Sequence, residues 1–347
     1  MAVQGQELQP ALWGVSRRVS PDARPGRAAT NAALAAGDLL RTHLLRPTWH
    51  LVRPDDARWL LELTAPRIAR LMASTERAWK LGDLGPGIDA VAAAVADGPR
   101  TRPQIRAELV DRGVLDPGAP GIAFTQMLMH AELRRLVISG PPPEGTPLQH
   151  QSYAAFDDRV PAGYGPLGER FDAEAAVVEL WRRYLPGRAF ATLGDVRHWS
   201  GLTAGDLKPA LAALTDAGEV VQLPGGGDLE GLTLAATPAA AEAGPAAAAD
   251  GPPPVDLLQA YDELLISYRE TRPVVFDPAL QLPDRAGAYV HCVAVDGVVA
   301  ARWRWPAPSA RGGNRGADVD VQWLRDAAPR EVAALDVAVA DLAAYLD

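Results

Sequence analysis

Lysine is almost missing from this chain. Only Lys80 and Lys208 occur, and arginine carries nearly all of the positive charge. Schiff-base chemistry needs a desolvated amine in the site, so it has few candidates here. Cysteine is rarer still. Cys292 stands alone, which excludes an internal disulfide framework and a cysteine-built zinc cluster. It lies in an apolar run and reads as a small buried hydrophobe. No run approaches the roughly 18 apolar residues of a membrane span, and no charged-then-apolar signal segment opens the chain. A cytoplasmic protein without membrane contact is the expectation. Several reaction signatures are missing too: a Walker loop, H-E-x-x-H and G-x-S-x-G.

What is present leaves room for two to three compact units in 347 residues, with 48% hydrophobic residues to build their cores. The formal charge of -9 argues against a general nucleic-acid coat, but charge is unevenly spread. Residues 1–53 carry seven arginines against Glu7, Asp22 and Asp38, a balance of +4. Arg302, Arg304, Arg311 and Arg315 fall in residues 301–315 with no acid among them. A DNA-binding surface needs local positive potential, not a basic whole. The alternative is that these arginines are ordinary solvated loop residues.

Periodicity divides the chain into repeated helical and hairpin segments. Residues 28–36 read as a helix, and residues 39–45 and 48–52 as strands around an Arg46-Pro47 turn. A helix followed by a hairpin is the second half of a winged helix. Pro54 then opens a helix through about Trp79, since proline at a first-turn position loses no hydrogen bond. Thr101 is a candidate N-cap for a helix over 103–112, and 120–134 is a further helix. Strands at 136–139 and 152–156 would form the second hairpin. Helices at 172–184, 192–199 and 203–217 repeat the plan, with a short Gly-containing turn at Ser200-Gly201-Leu202-Thr203. Strands at 219–223 and 229–234 would close that unit around a flexible Gly225-Gly226-Gly227 tip. Past an Ala/Pro/Gly stretch the chain turns β-rich, with Asp296-Gly297 as a two-residue hairpin turn. An apolar-faced helix over 329–346 ends the chain.

The expected fold is therefore mainly α with β: tandem winged-helix (helix-turn-helix) units plus a C-terminal β-rich subdomain. The expected boundaries are 1–82, 83–160 and 170–236 for the three units, a linker at 237–254, and 255–347 for the β-rich subdomain.

Three constellations could carry chemistry. Gln4 and Gln6, two apart, can each hold a water through the amide oxygen while donating through the amide nitrogen. By themselves they are equally two polar residues in a turn. Arg41, His43, Arg46 and His50 alternate with Leu44 and Leu51 on expected strands, a pattern that suits phosphate contact. His50 also reads as a satisfied, partly buried histidine, and His43 with His50 lacks a third ligand for a metal. Arg302 and Arg304 alternate with Trp303 and Trp305, which puts the arginines on one strand face. Asp55-Asp56 suits a helix start, and Asp262-Glu263 reads as orienting Tyr268 or Arg269.

The chain resembles a known family at several stretches: Val3-Gln4-Gly5-Gln6-Glu7-Leu8-Gln9 leading into Pro10-Ala11-Leu12-Trp13-Gly14, residues 41–52, Met129-His130-Ala131-Glu132-Leu133, Ala191-Thr192-Leu193-Gly194-Asp195 with Trp199-Ser200-Gly201-Leu202, and residues 261–269. These resemble the bacterial winged-helix DNA glycosylases that excise alkylated purines and unhook interstrand crosslinks, the azinomycin-resistance type. The resemblance implies that Gln4 and Gln6 are catalytic and place a water. It implies monofunctional hydrolysis of the N-glycosidic bond of N7-alkylated purines, without metal or cofactor. Its partner would be double-stranded DNA with alkylated bases or crosslinks, met by a monomer in the cytoplasm and on the nucleoid. Arg41, His43, Arg46, His50, Arg302 and Arg304 are the candidate DNA contacts. Family members carry more chain ahead of the glutamine pair, so the first unit is expected to be N-terminally incomplete. Residues 1–30 would then be mobile or pack on later units. The other readings are a non-catalytic winged-helix DNA-binding protein or transcriptional regulator, and an inactive relic.

Overall fold

A computed structural model describes residues 2–142, 151–160, 171–243, 252–280, 291–306 and 319–347. In chain order the elements begin with β1 (Ala2–Gln4), α1 (Leu8–Arg17), α2 (Arg27–Ala36), β2 (Leu40–His43), β3 (Trp49–Val52) and α3 (Pro54–Trp79). Next come α4 (Gly85–Ala94), β4 (Arg100–Thr101), α5 (Arg102–Asp111), α6 (Gly121–Leu133), β5 (Val137–Ser139), β6 (Ser152–Ala155) and the short α7 (Phe156–Arg159). Three helices follow, α8 (Ala173–Tyr184), α9 (Leu193–Ser200) and α10 (Ala204–Asp216), then β7 (Val221–Pro224), β8 (Thr233–Ala236) and α11 (Pro238–Glu242). The chain closes with β9 (Val255–Leu258), α12 (Glu263–Ile266), β10 (Cys292–Val295), β11 (Val298–Trp303), β12 (Val321–Trp323) and α13 (Pro329–Leu346). The fold is mixed α and β with several small sheets. Among the described residues no helix is long and apolar enough to cross a membrane.

The chain forms two compact units. One comprises Met1–Ala2, Asn31–Leu180 and Ser200–Asp206; the other comprises Val3–Thr30, Trp181–Trp199 and Leu207–Asp347.

In the first unit, β2 and β3 pair antiparallel from Leu40↔Val52 to His43↔Trp49. Pro54 starts α3 as its sequence requires, and Asp56 in the first turn is buried and accepts from Trp59 Nε1 at 3.2 Å. α5 opens on a capping box. The Gln104 amide N–H donates to Thr101 Oγ1, and Gln104 Oε1 accepts from Thr101 N at 2.8 Å. α4, α5 and α6 enclose a core of Ile88, Val91, Ile105, Leu109, Phe124 and Leu128, closed by Val137 of β5 and Tyr153 of β6. Gly201, with φ +72°, ends α9 in the left-handed conformation, and a Cβ there would stand 2.7 Å from the Leu45 carbonyl oxygen. Only glycine meets both demands.

The second unit is built on a four-stranded antiparallel sheet of order β12-β11-β10-β9. Asp296 and Gly297, with φ +50° and +78°, make the expected tight turn between β10 and β11. α13 lays Leu335, Ala338, Leu342, Tyr345 and Leu346 into a core with Val255, Leu257, Val293, Val295 and Trp303. Val3–Thr30 belong to this unit. Trp13 of α1 is fully buried in the same core, donates Nε1 to the Leu257 carbonyl at 2.8 Å, and meets Tyr345 edge-on. Two loops hold short helical turns, and residues 244–251 of the expected linker lie outside the described residues. Residues 238–242, expected in a linker, form α11, because Thr237 caps it by accepting from Ala240 N and Pro238 fits its first turn. The glycine tip between β7 and β8 carries a 3-10 turn at Gly227–Leu229.

Candidate active site

The glutamine pair sits at the junction of β1 and α1. Gln4 ends the strand and is buried; Gln6 lies in the bend before Leu8 and is half-buried. The main chain of Gln4 is held from both sides. Its N–H donates to Glu263 Oε1 at 2.9 Å, and its carbonyl accepts from Gln259 Nε2 at 3.0 Å. The Gln259 amide is oriented in turn, because its Oε1 accepts from Tyr261 N at 3.1 Å.

Glu263 opens α12 and is buried, a costly location for a carboxylate unless every lone pair is used. Its Oε2 accepts from Trp199 Nε1 at 2.5 Å, from an Arg188 guanidinium nitrogen at 3.2 Å and from Ser267 Oγ at 3.2 Å. Arg188 also donates to Ser267 Oγ at 2.6 Å and lies over the Tyr184 ring, 4.1 Å from its centroid. Burial pushes the Tyr184 hydroxyl above its ordinary range, so it stays a donor, to the Ser267 carbonyl at 3.2 Å.

α1 is fastened by further ionic contacts. Arg18 grips the buried Asp262 through both guanidinium nitrogens, at 2.7 and 3.1 Å, and Arg17 reaches Asp256 and Asp341 at 2.8 and 2.7 Å. Glu7, next to Gln6, pairs with His291. The histidine Nδ1 accepts from Ala260 N at 3.1 Å, so its Nε2 carries the proton toward Glu7 Oε2 at 3.1 Å. The hydrogen bond from His291 holds the Glu7 carboxyl below its ordinary value.

The hairpin of β2 and β3 belongs to the other unit. Of the four residues offered as DNA contacts, Arg41, His43 and His50 are buried and Arg46 is half-buried. His50 is fully buried; its Nδ1 donates to the Thr48 carbonyl at 2.9 Å and its Nε2 accepts from Arg46 at 3.2 Å. Burial, with the charge of Arg46 beside it, holds His50 far below its ordinary pKa as a neutral ring. His43 is buried against Glu132 of α6, to which its Nδ1 is hydrogen-bonded. The Arg41 guanidinium lies over Trp49, 4.1 Å from the ring centroid, and burial lowers it to about 10. Its main-chain N donates to Ser139 Oγ of β5 at 2.8 Å. These groups fix the hairpin; Arg46, half-buried at the turn, is the one nearer solvent.

On β11 the expected alternation is present. Trp303 is buried and donates to the Leu258 and Cys292 carbonyls at 2.9 and 3.1 Å. Arg302 binds Gln322 Oε1, and Arg304 is exposed, 3.7 Å from Asp320. Arg311 and Arg315 lie outside the described residues. Among the described residues no group of three or more His, Cys, Asp or Glu is placed to hold a metal.

Comparison with known proteins gives this geometry its context. The family model described as "DNA glycosylase AlkZ-like" matches residues 1–345. The chain belongs to the AlkZ-like DNA glycosylase family. As a DNA glycosylase it is a hydrolase of the base–sugar bond, acting in DNA repair with DNA as its substrate. A search of the curated proteins found no match. Among solved structures, the Streptomyces sahachiroi DNA glycosylase AlkZ is similar in fold, with a TM-score of 0.72 and 20% identity, over 99% of this chain and 88% of that one.

In this AlkZ-like chain the residues that grip the glutamine segment went unrecognised in the sequence. Glu263, Gln259, Arg188 and His291 carry no spacing signal for it, and the sequence pattern pairs Asp262-Glu263 with Tyr268 or Arg269 instead. In the fold Asp262 holds Arg18 and Glu263 holds Gln4. One signal was available: two acids inside the apolar run Leu257–Ile266 must find donors if that run is buried.

Proposed function

We propose that this chain hydrolyses the N-glycosidic bond of N7-alkylated purines in duplex DNA, with Gln4 and Gln6 positioning the attacking water. An N7-alkylated guanine is already cationic and leaves readily, so acid assistance is not the main requirement. What remains is to place a nucleophile against an oxocarbenium-like sugar. A glutamine side chain is a poor base but a good holder of water, since it accepts and donates at once. Held in place, it supplies the orientation that converts an encounter into an attack geometry.

The observation that carries this reading is the clamp on Gln4. Glu263 and Gln259 take both polar atoms of its main chain, while α1 is tied down behind it by Trp13, Arg17 and Arg18. A site that works by positioning needs such support. The chemistry is monofunctional: water attacks, and the reaction as written uses neither metal nor cofactor. Lys80 ends α3 and Lys208 lies in α10, and neither belongs to the segments that hold Gln4. We read the segments 1–82, 83–160 and 170–236 as tandem winged-helix units followed by the β-rich 255–347. We also read the protein as a monomer of the cytoplasm that gathers on the nucleoid with its substrate. Arg46, Arg302 and Arg304 are its proposed backbone contacts, with Arg41, His43 and His50 supporting the hairpin from within. A crosslinked duplex is a second candidate substrate.

The test is a duplex carrying one 7-methylguanine. Free base should appear, and the strand should break only after alkali. A protein–DNA adduct trapped by borohydride would point to an amine nucleophile. No base release, together with a sharp palindromic site selected from random duplexes, would favour a regulator.

A further inference from the structure

We propose that Glu263 is a positioning residue for excision, acting on the reaction through the main chain of Gln4. The inference rests on the reading of Gln4 as a holder of the attacking water. Four donors converge on this one buried carboxylate. Gln4 N reaches Oε1, and Trp199 Nε1, Arg188 and Ser267 Oγ reach Oε2. The two oxygens divide the work. Oε2 is bound to groups of Tyr184–Trp199 and the α12 end, and Oε1 passes that fixed position on to Gln4. The carboxylate is already committed to these donors, so its contribution is to geometry and not to proton transfer.

All four of these partners are donors, and that makes the site selective for a carboxylate. In Glu263→Gln one of the two positions becomes an NH2 group. If the nitrogen faces Trp199 and Arg188, donor meets donor there. If the amide flips, donor meets the Gln4 N–H. Either orientation releases one side of the clamp while keeping the side chain's size.

The experiment is a double-mutant cycle in the full chain. Single-turnover excision is measured on a 7-methylguanine duplex at saturating enzyme, with duplex Kd measured alongside. Glu263→Gln should slow excision about 10- to 100-fold, the usual scale for a lost positioning interaction, and leave Kd unchanged. Gln4→Ala should be slow as well. The decisive value is the double variant, which should be no slower than Gln4→Ala alone, because Glu263 acts only through Gln4. A merely structural role would move Kd and melting temperature together and would not abolish additivity. The Gln4 amide proton should also move upfield in Glu263→Gln, reporting loss of the carboxylate directly.

If Glu263→Gln excises at the wild-type rate while Gln4→Ala is slow, this inference falls and the glutamine reading stands. Penalties that multiply in the double variant would overturn it too. If Gln4→Ala and Gln6→Ala both excise at the wild-type rate, the glutamine reading itself falls, and the inference with it. Should Glu263→Gln not fold, Glu263→Asp keeps the charge facing Arg188 but is one methylene too short to reach both sides. The same loss of additivity is then expected from it, and its absence is equally fatal.

Discussion

Replacing Trp13 tests whether the glutamine segment is part of the cooperative fold. Trp13 is fully buried, makes one indole hydrogen bond to Leu257 O at 2.8 Å, and contacts Tyr345 with ring centroids 5.3 Å apart. Trp13→Ala removes the indole from the core formed with Val255, Leu257, Val293 and Leu342. Large aromatic-to-alanine changes cost about 3–5 kcal/mol, and a carbonyl left unpaired adds about 1–3 kcal/mol if water cannot reach it. A loss of about 4 kcal/mol is a large share of a typical domain's 5–15 kcal/mol. With a urea m-value of about 2 kcal/mol/M, the midpoint should fall by about 2 M with the slope unchanged. Trp13→Phe keeps most of the volume and loses the hydrogen bond, so about 1–2 kcal/mol is expected. The assay is urea unfolding followed by circular dichroism, with hydrogen exchange at Val255–Leu258 as a local probe. An unchanged midpoint in Trp13→Ala would mean that α1 is not fastened to this core, and the argument that Gln4 and Gln6 are held in place would lose its foundation.

Cys292 is buried and burial raises its thiol to about 12; it should resist a thiol reagent at pH 8 in the native state and react fully in denaturant, and rapid native labelling would contradict its place in β10. His50 is held neutral with a pKa well below 6.5 by burial. The unfolded chain therefore binds a proton that the folded chain refuses, and stability should fall as pH drops below about 6.5, by up to about 1.4 kcal/mol per unit from this residue. His50→Gln should flatten that part of the melting-temperature profile, and an unaltered profile would show that His50 is not the source. Arg302→Gln with Arg304→Gln should weaken duplex binding alike on all sequences and reduce the salt slope by about 1–2; binding equal to wild type between 50 and 200 mM salt, a range of the usual size for such slopes, would take β11 off the DNA.

How much of this was legible depends on where each constraint lies along the chain. α3 and α13 have the bounds that Pro54 and Pro329 with the following apolar pattern imply. The Asp296-Gly297 turn and the Thr101 cap follow from local chemistry alone. The hairpin of β2 and β3 was legible as strands but not as a surface. Alternation says which residues share a face, not whether another element covers it, and Glu132 of α6 receives His43 from 89 residues away. The candidate site shows the same limit more sharply. Gln4 and Gln6 were visible as a motif, yet the support of Gln4 comes from Gln259 and Glu263, some 255 residues later. No spacing rule links such positions, and only the burial of two acids in an apolar run pointed toward them. α11 was missed because an Ala/Pro/Gly stretch reads as linker, although Thr237 before Pro238 is a helix start.

The central claim is that the two glutamines place the water. Its most direct test compares wild type with Gln4→Ala, Gln6→Ala and the double variant for release of 7-methylguanine from a defined duplex under single-turnover conditions. Each single variant should lose about one to three orders of magnitude in rate with little change in DNA affinity. Excision by the double variant at the wild-type rate would remove both glutamines from the mechanism.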